Sequence, residues 1–550
     1  MNKILENNDE KYSLYITEGI KNVNYNNFHK AEILFKEAIN INSKKHESYI
    51  NLANIYLLQK KYEKTYELLF DYLLNHNFNE HIANHIGKIL FNYKELKKLE
   101  ELFILIKLSE SNYQKEKKFL FFIQGKYYEY LNKYNEAIKS YLNSTKCDKF
   151  FFESYKELLN LYETTNDIQE LEKLLDVIQD LFKDKEKINV IKFYKSMLLN
   201  RNKKFLLSQE YIFKNNLHKS FNIDKNFKIK LLDLQSKNYE KLKNFSSAFK
   251  SIEERNSIIL NQEKNKKYNK NNILDAITKY KEFYIKKNIS LINNRLKYES
   301  DEKLVFLVGF PRSGTTLLDT ILRSHSKIKV IEEKPYLLNL QHEYLKKKNN
   351  NLESILNITQ IQKNEIRDKY YKKIISHEGD NEKIIVDKFP LSLIELGFIK
   401  CIFPNSKIIL AVRHPCDVVT SCFFSYFKIN DAMINFLKIE DTINFYNKVL
   451  DLFEFYEGEL DLNYILIKYE EIVHNFSNNI NLLLEFLDLS YENQLENFYM
   501  TAKKREKIST PSYNQVINPL YTSSIDRWKN YNQIQSHKKN LDRWIKKFEY

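Results

Sequence analysis

The sequence contains little glycine, proline or cysteine and no long apolar run. Gly 8 and Pro 7 in 550 residues leave few positions for tight turns, so a helix-rich chain is predicted. The four cysteines lack C-x-x-C or zinc-type spacing, which predicts buried thiols in a reducing compartment. No apolar run approaches the roughly 18 residues that a membrane span needs. The chain also opens without a signal-peptide pattern. These absences predict a cytoplasmic protein with no membrane span.

The charge is positive but diffuse. The formal net charge is +15, from 87 basic and 72 acidic residues, and the lysines are spread among asparagine and glutamate without a dense arginine run. That pattern argues against nucleic-acid binding and leaves the excess charge free to attract an anionic ligand.

Small residues recur every 34 positions in the N-terminal half, at Gly19, Ala53 and Gly87. After a four-residue slip near 109–117, Gly125 restarts the series. An aromatic or apolar residue nine positions later and alanine three positions after that resemble tetratricopeptide repeats, which are stacked helical hairpins. We therefore predict an all-α repeat superhelix over 1–262, a linker with a connecting helix over 263–300, and an α/β domain over 301–550. The resemblance implies a protein or peptide partner on the array.

A phosphate-type loop opens the C-terminal domain. The apolar run 304–308 predicts a buried parallel strand, and Gly309-Phe-Pro-Arg-Ser-Gly314-Thr-Thr predicts a tight loop followed by a helix. Backbone N–H groups and the helix dipole then converge on one anion site. Thr315 stands where an ATP-binding P-loop has its lysine, so Arg312 is the cation instead. This argues against phosphoryl transfer from a magnesium nucleotide.

The loop resembles the 5′-phosphosulfate loop of sulfotransferases, which use 3′-phosphoadenosine-5′-phosphosulfate (PAPS). Its residue sequence is most similar to that of tyrosylprotein sulfotransferases and their bacterial relatives fused to tetratricopeptide repeats. The resemblance implies PAPS as co-substrate, no metal, and contacts to the phosphosulfate from Pro311, Arg312, Ser313, Gly314, Thr315 and Thr316.

Two residues carry the implied chemistry. Glu333 stands 21 residues after Arg312, the spacing at which the resembled enzymes have their glutamate base, and it follows a short predicted strand at 329–331. A solvated loop is the alternative, Glu332 is the fallback base, and His325 is predicted to be structural. Lys388 follows the predicted strand 384–386 and resembles the lysine that stabilises the bridging oxygen, although a simple salt bridge would also explain it.

A second anion site is predicted near the end of strand 407–412. Arg413 and Ser421 resemble the arginine and serine that bind the 3′-phosphate of PAPS. Tyr469 is predicted to lie near the adenine or ribose, or to be a buried structural tyrosine. Ser512 resembles a serine on the phosphosulfate side.

The sequence thus predicts sulfuryl transfer from PAPS to a hydroxyl acceptor, which is a protein tyrosine, a glycan or a small metabolite. Two alternatives stay open. One is a P-loop kinase or NTPase, and the other is a repeat scaffold with a catalytically decayed nucleotide-binding domain.

Overall fold

The computed structural model describes residues 2–76, 79, 81–83, 85–87, 98, 118–220, 224–263, 268–287, 303–378, 383–503 and 516–550. Contacts divide the chain into two compact units, residues 1–202 and 203–550.

The first unit is helical throughout its described residues. Consecutive helices pair as hairpins joined by short turns, as the repeat pattern predicts. The helices are Asn2–Asn24, Phe28–Ile41, His46–Leu58, Tyr62–Asn75, Lys118–Tyr130, Tyr134–Cys147, Phe152–Thr164, Ile168–Ile178 and Lys185–Arg201.

The turn inside each hairpin repeats the 34-residue period. Asn26 and Lys60 have φ of 58° and 59°, and Asn132 and Asn166 have φ of 60° and 59°. The left-handed residue therefore recurs at the same place in successive hairpins, and the step from 60 to 132 contains two periods plus the four-residue slip. This backbone feature confirms the tetratricopeptide register predicted from the small residues. The residues that follow Gly87 in the same register (Leu96, Leu99, Phe103 and Ile106) and the four-residue slip lie outside the described residues.

The small residues mark where paired helices cross. A Cβ atom on Gly19 would lie 2.4 Å from the Phe35 ring, and one on Gly125 would lie 2.4 Å from the Tyr141 ring. In both hairpins the aromatic residue stands 16 positions after the glycine. The glycines are therefore needed because a larger residue would collide with the partner helix.

The second unit begins with further helices before its sheet. They are Phe205–Lys214, Leu217–Ser220, Lys225–Lys241, Phe245–Glu263 and Lys270–Lys287. The last of these is the connecting helix predicted within 263–300, and it begins at Lys270; residues 288–302 lie outside the described residues. The predicted boundaries after 262 and 300 remain a prediction.

Five parallel strands form one sheet in the order β2-β3-β1-β4-β5. The strands are β1 Leu304–Gly309, β2 Ile328–Glu332, β3 Ile384–Lys388, β4 Lys407–Val412 and β5 Tyr464–Lys468. The sequence predicts all five to within two residues at either end, since the apolar run 464–467 also predicts a strand. Because β1 lies between β3 and β4, the chain changes direction across the sheet beside β1, which is where α/β sheets bind ligands.

Both faces of the sheet are covered, as a parallel sheet requires. Along β1, Leu304, Phe306 and Val308 pack into one core and Val305 and Leu307 into the other. This alternation explains why the strand reads as a continuous apolar run in the sequence.

The connections between strands are helical. The α-helices are Thr315–Arg323, Tyr336–Lys347, Glu353–Leu356, Gln360–Glu378, Leu396–Ile402, Pro415–Phe424, Ile439–Glu459, Tyr469–His474, Phe476–Phe486, Phe498–Lys503, Asn532–Gln535 and Asp542–Lys547, with 3-10 turns at Pro390–Glu395, Met433–Leu437, Asn493–Asn497, Arg527–Asn530 and Lys538–Leu541. The sequence predicts a helix over 416–427 after β4, and the observed helix ends at Phe424, where Ser425 takes extended φ and ψ of −80° and 144°.

Candidate active site

The loop after β1 takes the conformation that its glycines predict. Gly314 has φ of 97° and caps the helix Thr315–Arg323, a conformation that favours glycine. A Cβ on Gly309 would lie 2.5 Å from the Ala411 carbonyl oxygen, so β1 and β4 approach closely here. Because the first turn of a helix leaves its N–H groups without intrahelical partners, this loop is built to bind an anion.

Arg312 turns from the loop toward the helix after β4. Its Nε donates to the Ser421 hydroxyl at 2.9 Å. Burial, together with the positive charges of Arg413 and Arg527, lowers the pKa of Arg312 to about 10. A bound anion would relieve this repulsion, so the electrostatics favour a negatively charged ligand.

Arg413 connects the two predicted anion sites. Its Nη1 donates to the Arg312 carbonyl at 3.4 Å, and its guanidinium lies over the Tyr469 ring at 4.9 Å. The Tyr469 ring also packs against Gly314, 3.0 Å from the position of a Cβ there. The Arg413 Nε is buried and has no hydrogen-bond partner among the residues that the structure describes. The two sites are therefore adjacent, and a buried donor remains to be satisfied by a ligand.

Lys388 lies inside a cluster of carboxylates. Its Nζ is 2.8 Å from Glu333 Oε1, 3.5 Å from Glu332 Oε1 and 3.7 Å from Asp319 Oδ2. Burial alone would lower the pKa of Lys388, but the three carboxylates outweigh it and raise the pKa. The lysine is therefore a fixed cation, and the salt bridge considered from the sequence is present.

Two of these site residues have left-handed backbones. Arg312 has φ of 73° and Glu333 has φ of 47°. The Glu333 N–H donates to the Lys388 carbonyl at 2.8 Å, which holds this conformation at the end of β2. Non-glycine residues in this region cost on the order of 1–3 kcal/mol and cluster at functional sites.

The predicted site residues differ in where the structure places them. Pro311, Arg312, Gly314, Thr315, Thr316, Glu333, Arg413 and Tyr469 all line one cavity of about 830 Å³. Ser313, Ser421 and Lys388 are buried, and they are absent from the described residues that line this cavity. Ser512 lies outside the described residues. His325 bonds the Ser490 carbonyl at 2.9 Å, as its predicted structural role requires.

Sequence reasoning missed three residues that support the site. Asp319 is fully buried, contacts Lys388 and accepts a 2.9 Å bond from Arg323. It interrupts an apolar helical run, and that interruption was the available signal. Ser524 accepts from Arg413 through its carbonyl and from Tyr469 through its hydroxyl. No sequence signal indicated Ser524.

The third is Arg255, which caps the helix that carries Ser421. Its buried guanidinium donates to the carbonyls of Phe424, Phe423 and Ser425 at 3.1, 3.2 and 3.3 Å. A cation at a helix C-terminus satisfies the last carbonyls and stabilises the helix dipole. This contact ends the helix at Phe424 and joins residues far apart in sequence.

Comparisons with known proteins agree with this geometry. Residues 305–493 match the family model described as Sulfotransferase family. An uncharacterized protein of Aquifex aeolicus (strain VF5) is 25% identical over 235 residues, which cover 41% of this chain and 30% of that protein. Protein-tyrosine sulfotransferase A of Caenorhabditis elegans is 24% identical over 238 residues, covering 42% of this chain and 62% of that protein. The match thus spans less than two thirds of either relative.

The structure solved as the sulfotransferase domain from the curacin biosynthetic pathway is 19% identical, with a TM-score of 0.30, and the match covers 44% of this chain and 96% of that one. The sheet-bearing part of the chain is an α/β domain with a glycine-bracketed loop at the point where the strand order reverses. Residues 305–493 of this part match the sulfotransferase family, and tetratricopeptide-type helical hairpins precede them in the chain.

None of the described helices combines the length and apolarity required for a membrane crossing. Within the same residues, no three histidine, cysteine, aspartate or glutamate side chains group in a way that would hold a metal ion.

Proposed function

We propose that this domain transfers a sulfuryl group from PAPS to a hydroxyl acceptor. One observation carries the proposal: Arg312 and Arg413, at the ends of adjacent strands, contact each other beside the phosphate loop and line the same cavity. A nucleotide with phosphates at both the 5′ and 3′ positions needs two such neighbouring anion sites.

Each anion site has its own set of residues. The first-turn amides with Gly314, Thr315 and Thr316 would hold the 5′-phosphosulfate. Arg413 would hold the 3′-phosphate through its buried Nε, and Ser421 would support it while bonded to Arg312. Contacts from Ser512 and from Tyr469 to the nucleotide remain predictions.

The transfer needs a base and a cation at the other side of the loop. The acceptor oxygen attacks sulfur and forms a new S–O bond while the bond from sulfur to the bridging phosphate oxygen breaks. Adenosine 3′,5′-bisphosphate (PAP) leaves with that electron pair, and Glu333 accepts the acceptor's proton. Lys388, 2.8 Å from Glu333, stabilises the charge that develops on the bridging oxygen.

Calorimetric titration with PAP and transfer assays with PAPS test the proposal. We expect PAP binding without magnesium, and Arg312→Ala and Arg413→Ala should each weaken it about 10- to 100-fold, the effect of losing a charged hydrogen bond. Glu333→Gln should retain PAP binding and lose transfer. Arg543→Ala is the matched control, since this exposed arginine pairs only with Asp451 and Glu454 among the described residues.

Two results would contradict the proposal. One is magnesium-dependent ATP binding that is tighter than PAP binding, which would support the kinase alternative. The other is unchanged PAP affinity and transfer in Arg312→Ala.

A further inference from the structure

The cavity beside the phosphate loop has a second wall that the family match does not include. Ile273, Ala276 and Tyr280 of the helix Lys270–Lys287 line it, and they lie three and four residues apart on one helical face. This helix precedes residues 305–493, the matched segment. The wall is therefore contributed by an element that the shared domain does not supply.

A polar cluster interrupts this otherwise apolar wall. Gln341 Nε2 donates to the Tyr280 hydroxyl at 3.2 Å, and Gln341 is also in hydrogen-bonding reach of the Glu395 carboxyl. Glu395 lines the cavity, while its Oε2 is shielded from solvent and has no hydrogen-bond partner among the described residues. The cluster thus presents a carboxyl group with unused hydrogen-bonding capacity.

Glu395 also lacks a counter-charge. Within the described part of the chain, no lysine, arginine or histidine forms an ion pair with it, and burial raises its pKa to about 7. Burial raises the pKa values of the neighbouring Tyr280 and Tyr284, and the negative charge of Glu395 is the second cause of that rise. Buried carboxylates are normally paired, and a carboxylate beside aromatic rings is a setting that binds ammonium groups.

We propose that this wall is the acceptor subsite, and that it takes a hydroxyl-bearing acceptor whose ammonium group pairs with Glu395. The inference rests on the proposed sulfuryl transfer. Glu333 lines the same cavity, so an acceptor anchored at Glu395 presents its hydroxyl to the base. The wall residues would then determine which hydroxyl compounds are sulfated.

Matched acceptors that differ in charge test this subsite. The phenols are tyramine, p-cresol and 4-hydroxyphenylacetate, and the aliphatic pair is 5-aminopentanol and 1-pentanol. Each is titrated into the full chain saturated with PAP and then assayed with PAPS. At least one ammonium compound should show kcat/KM about 10-fold or more above its neutral counterpart, and the carboxylate compound should be the poorest.

Variants separate recognition from folding. Glu395→Gln should remove the preference for the ammonium compound through a higher KM for that compound, and retained PAP affinity shows that the variant folds. Glu485→Gln, an exposed glutamate of the same unit, is the control. If Glu395→Gln does not fold, Ala276→Met is the second variant. The larger side chain should narrow the cavity beside this wall and lower kcat/KM for the acceptor, while PAP binding persists.

The outcomes distinguish the two proposals. Absence of PAP binding would overturn the proposed function. Normal PAP binding with no preference for ammonium over neutral acceptors, or a preference that survives Glu395→Gln, would overturn this inference alone.

Discussion

The two units bury different kinds of polar side chain. In residues 1–202 the buried polar groups are hydroxyls and an amide, such as Ser48 and Ser144, which donate to backbone carbonyls at 3.0 and 2.7 Å. Every charged side chain that is buried among the described residues belongs to 203–550, including Arg255, Asp319, Lys388 and Arg413.

This difference separates packing from chemistry. A small hydroxyl bonded to the backbone costs little to bury, so the repeat unit can reproduce one hairpin many times. A buried charge is costly unless it is paired, and groups of buried charges concentrate at functional sites. In residues 203–550, which contain the sheet, buried charges lie at the strand ends where the proposed sulfuryl donor binds.

The largest expected effect comes from removing the buried cation. Lys388→Met removes the buried cation that lies 2.8 to 3.7 Å from Glu333, Glu332 and Asp319. We expect a loss of about 3–5 kcal/mol in the free energy of unfolding. Urea denaturation measures it, and transfer activity should be lost as well.

A half-exposed lysine of the repeat unit is the control for this change. Lys126 lies 2.7 Å from Glu157 and 3.6 Å from Glu129. Lys126→Met should cost less than about 1 kcal/mol because solvent screens such pairs. Equal losses of unfolding free energy in Lys388→Met and Lys126→Met would mean that burying the lysine in residues 203–550 makes no difference to its contribution to stability.

The next effect is a pH dependence that only the sheet unit should show. Burial raises the pKa of Asp387 to about 7, against 3.8 in the unfolded chain, while a bond from the Tyr370 hydroxyl opposes this rise. As pH rises from about 4 to 7, the unfolded chain loses this proton while the folded chain keeps it, so stability falls across that window. At 1.36 kcal/mol per pKa unit, the loss is a few kcal/mol.

Asp387→Asn removes this titrating group at nearly constant shape. The variant should lose less stability than the unchanged protein between pH 4 and 7, with parallel curves above pH 7. Thermal unfolding at several pH values measures the difference. Curves that stay parallel over the whole range would show that Asp387 titrates normally.

The smallest expected changes in stability come from replacing glycines with alanine, and their sign depends on the space around each glycine. Gly125→Ala places a Cβ 2.4 Å from Tyr141, whose hydroxyl is held by Glu129 at 2.6 Å, so the ring cannot withdraw. We expect a loss of about 1–3 kcal/mol. Gly458 has nothing within 4 Å of its Cβ position, and Gly458→Ala should stabilise its helix by roughly 0.5–1 kcal/mol. Stabilisation by both substitutions would contradict the close crossing in the repeat unit.

Much of the fold was predictable because it depends on local pattern. The apolar run at 304–308 and the glycines at 309 and 314 specify a strand and its loop within a few residues of sequence. The repeat period was readable because each hairpin needs a small residue at its crossing. Arg312 was predicted as the cation of the loop after a buried strand, and Arg413 was predicted from its resemblance to the arginine that binds the 3′-phosphate in sulfotransferases.

The parts that were missed depend on contacts between distant segments. Arg255 bonds carbonyls about 170 positions away, and nothing in its local sequence indicates that partner. Glu395 becomes unusual only because the helix Lys270–Lys287 and Gln341 enclose it. The sequence marked that helix as a connection, while its role as a cavity wall depends on tertiary packing.

The Arg255 contact has a practical consequence for anyone preparing the sheet-bearing part alone. A fragment cut at residue 301 would leave the carbonyls of 423–425 without their donors and the Phe423 ring without Phe249, on which it stacks at 5.3 Å. Glu240, which pairs with Arg527, would be missing as well. A fragment that keeps these contacts therefore begins before Lys225, well inside the region 1–262 that the sequence predicts to be the repeat array.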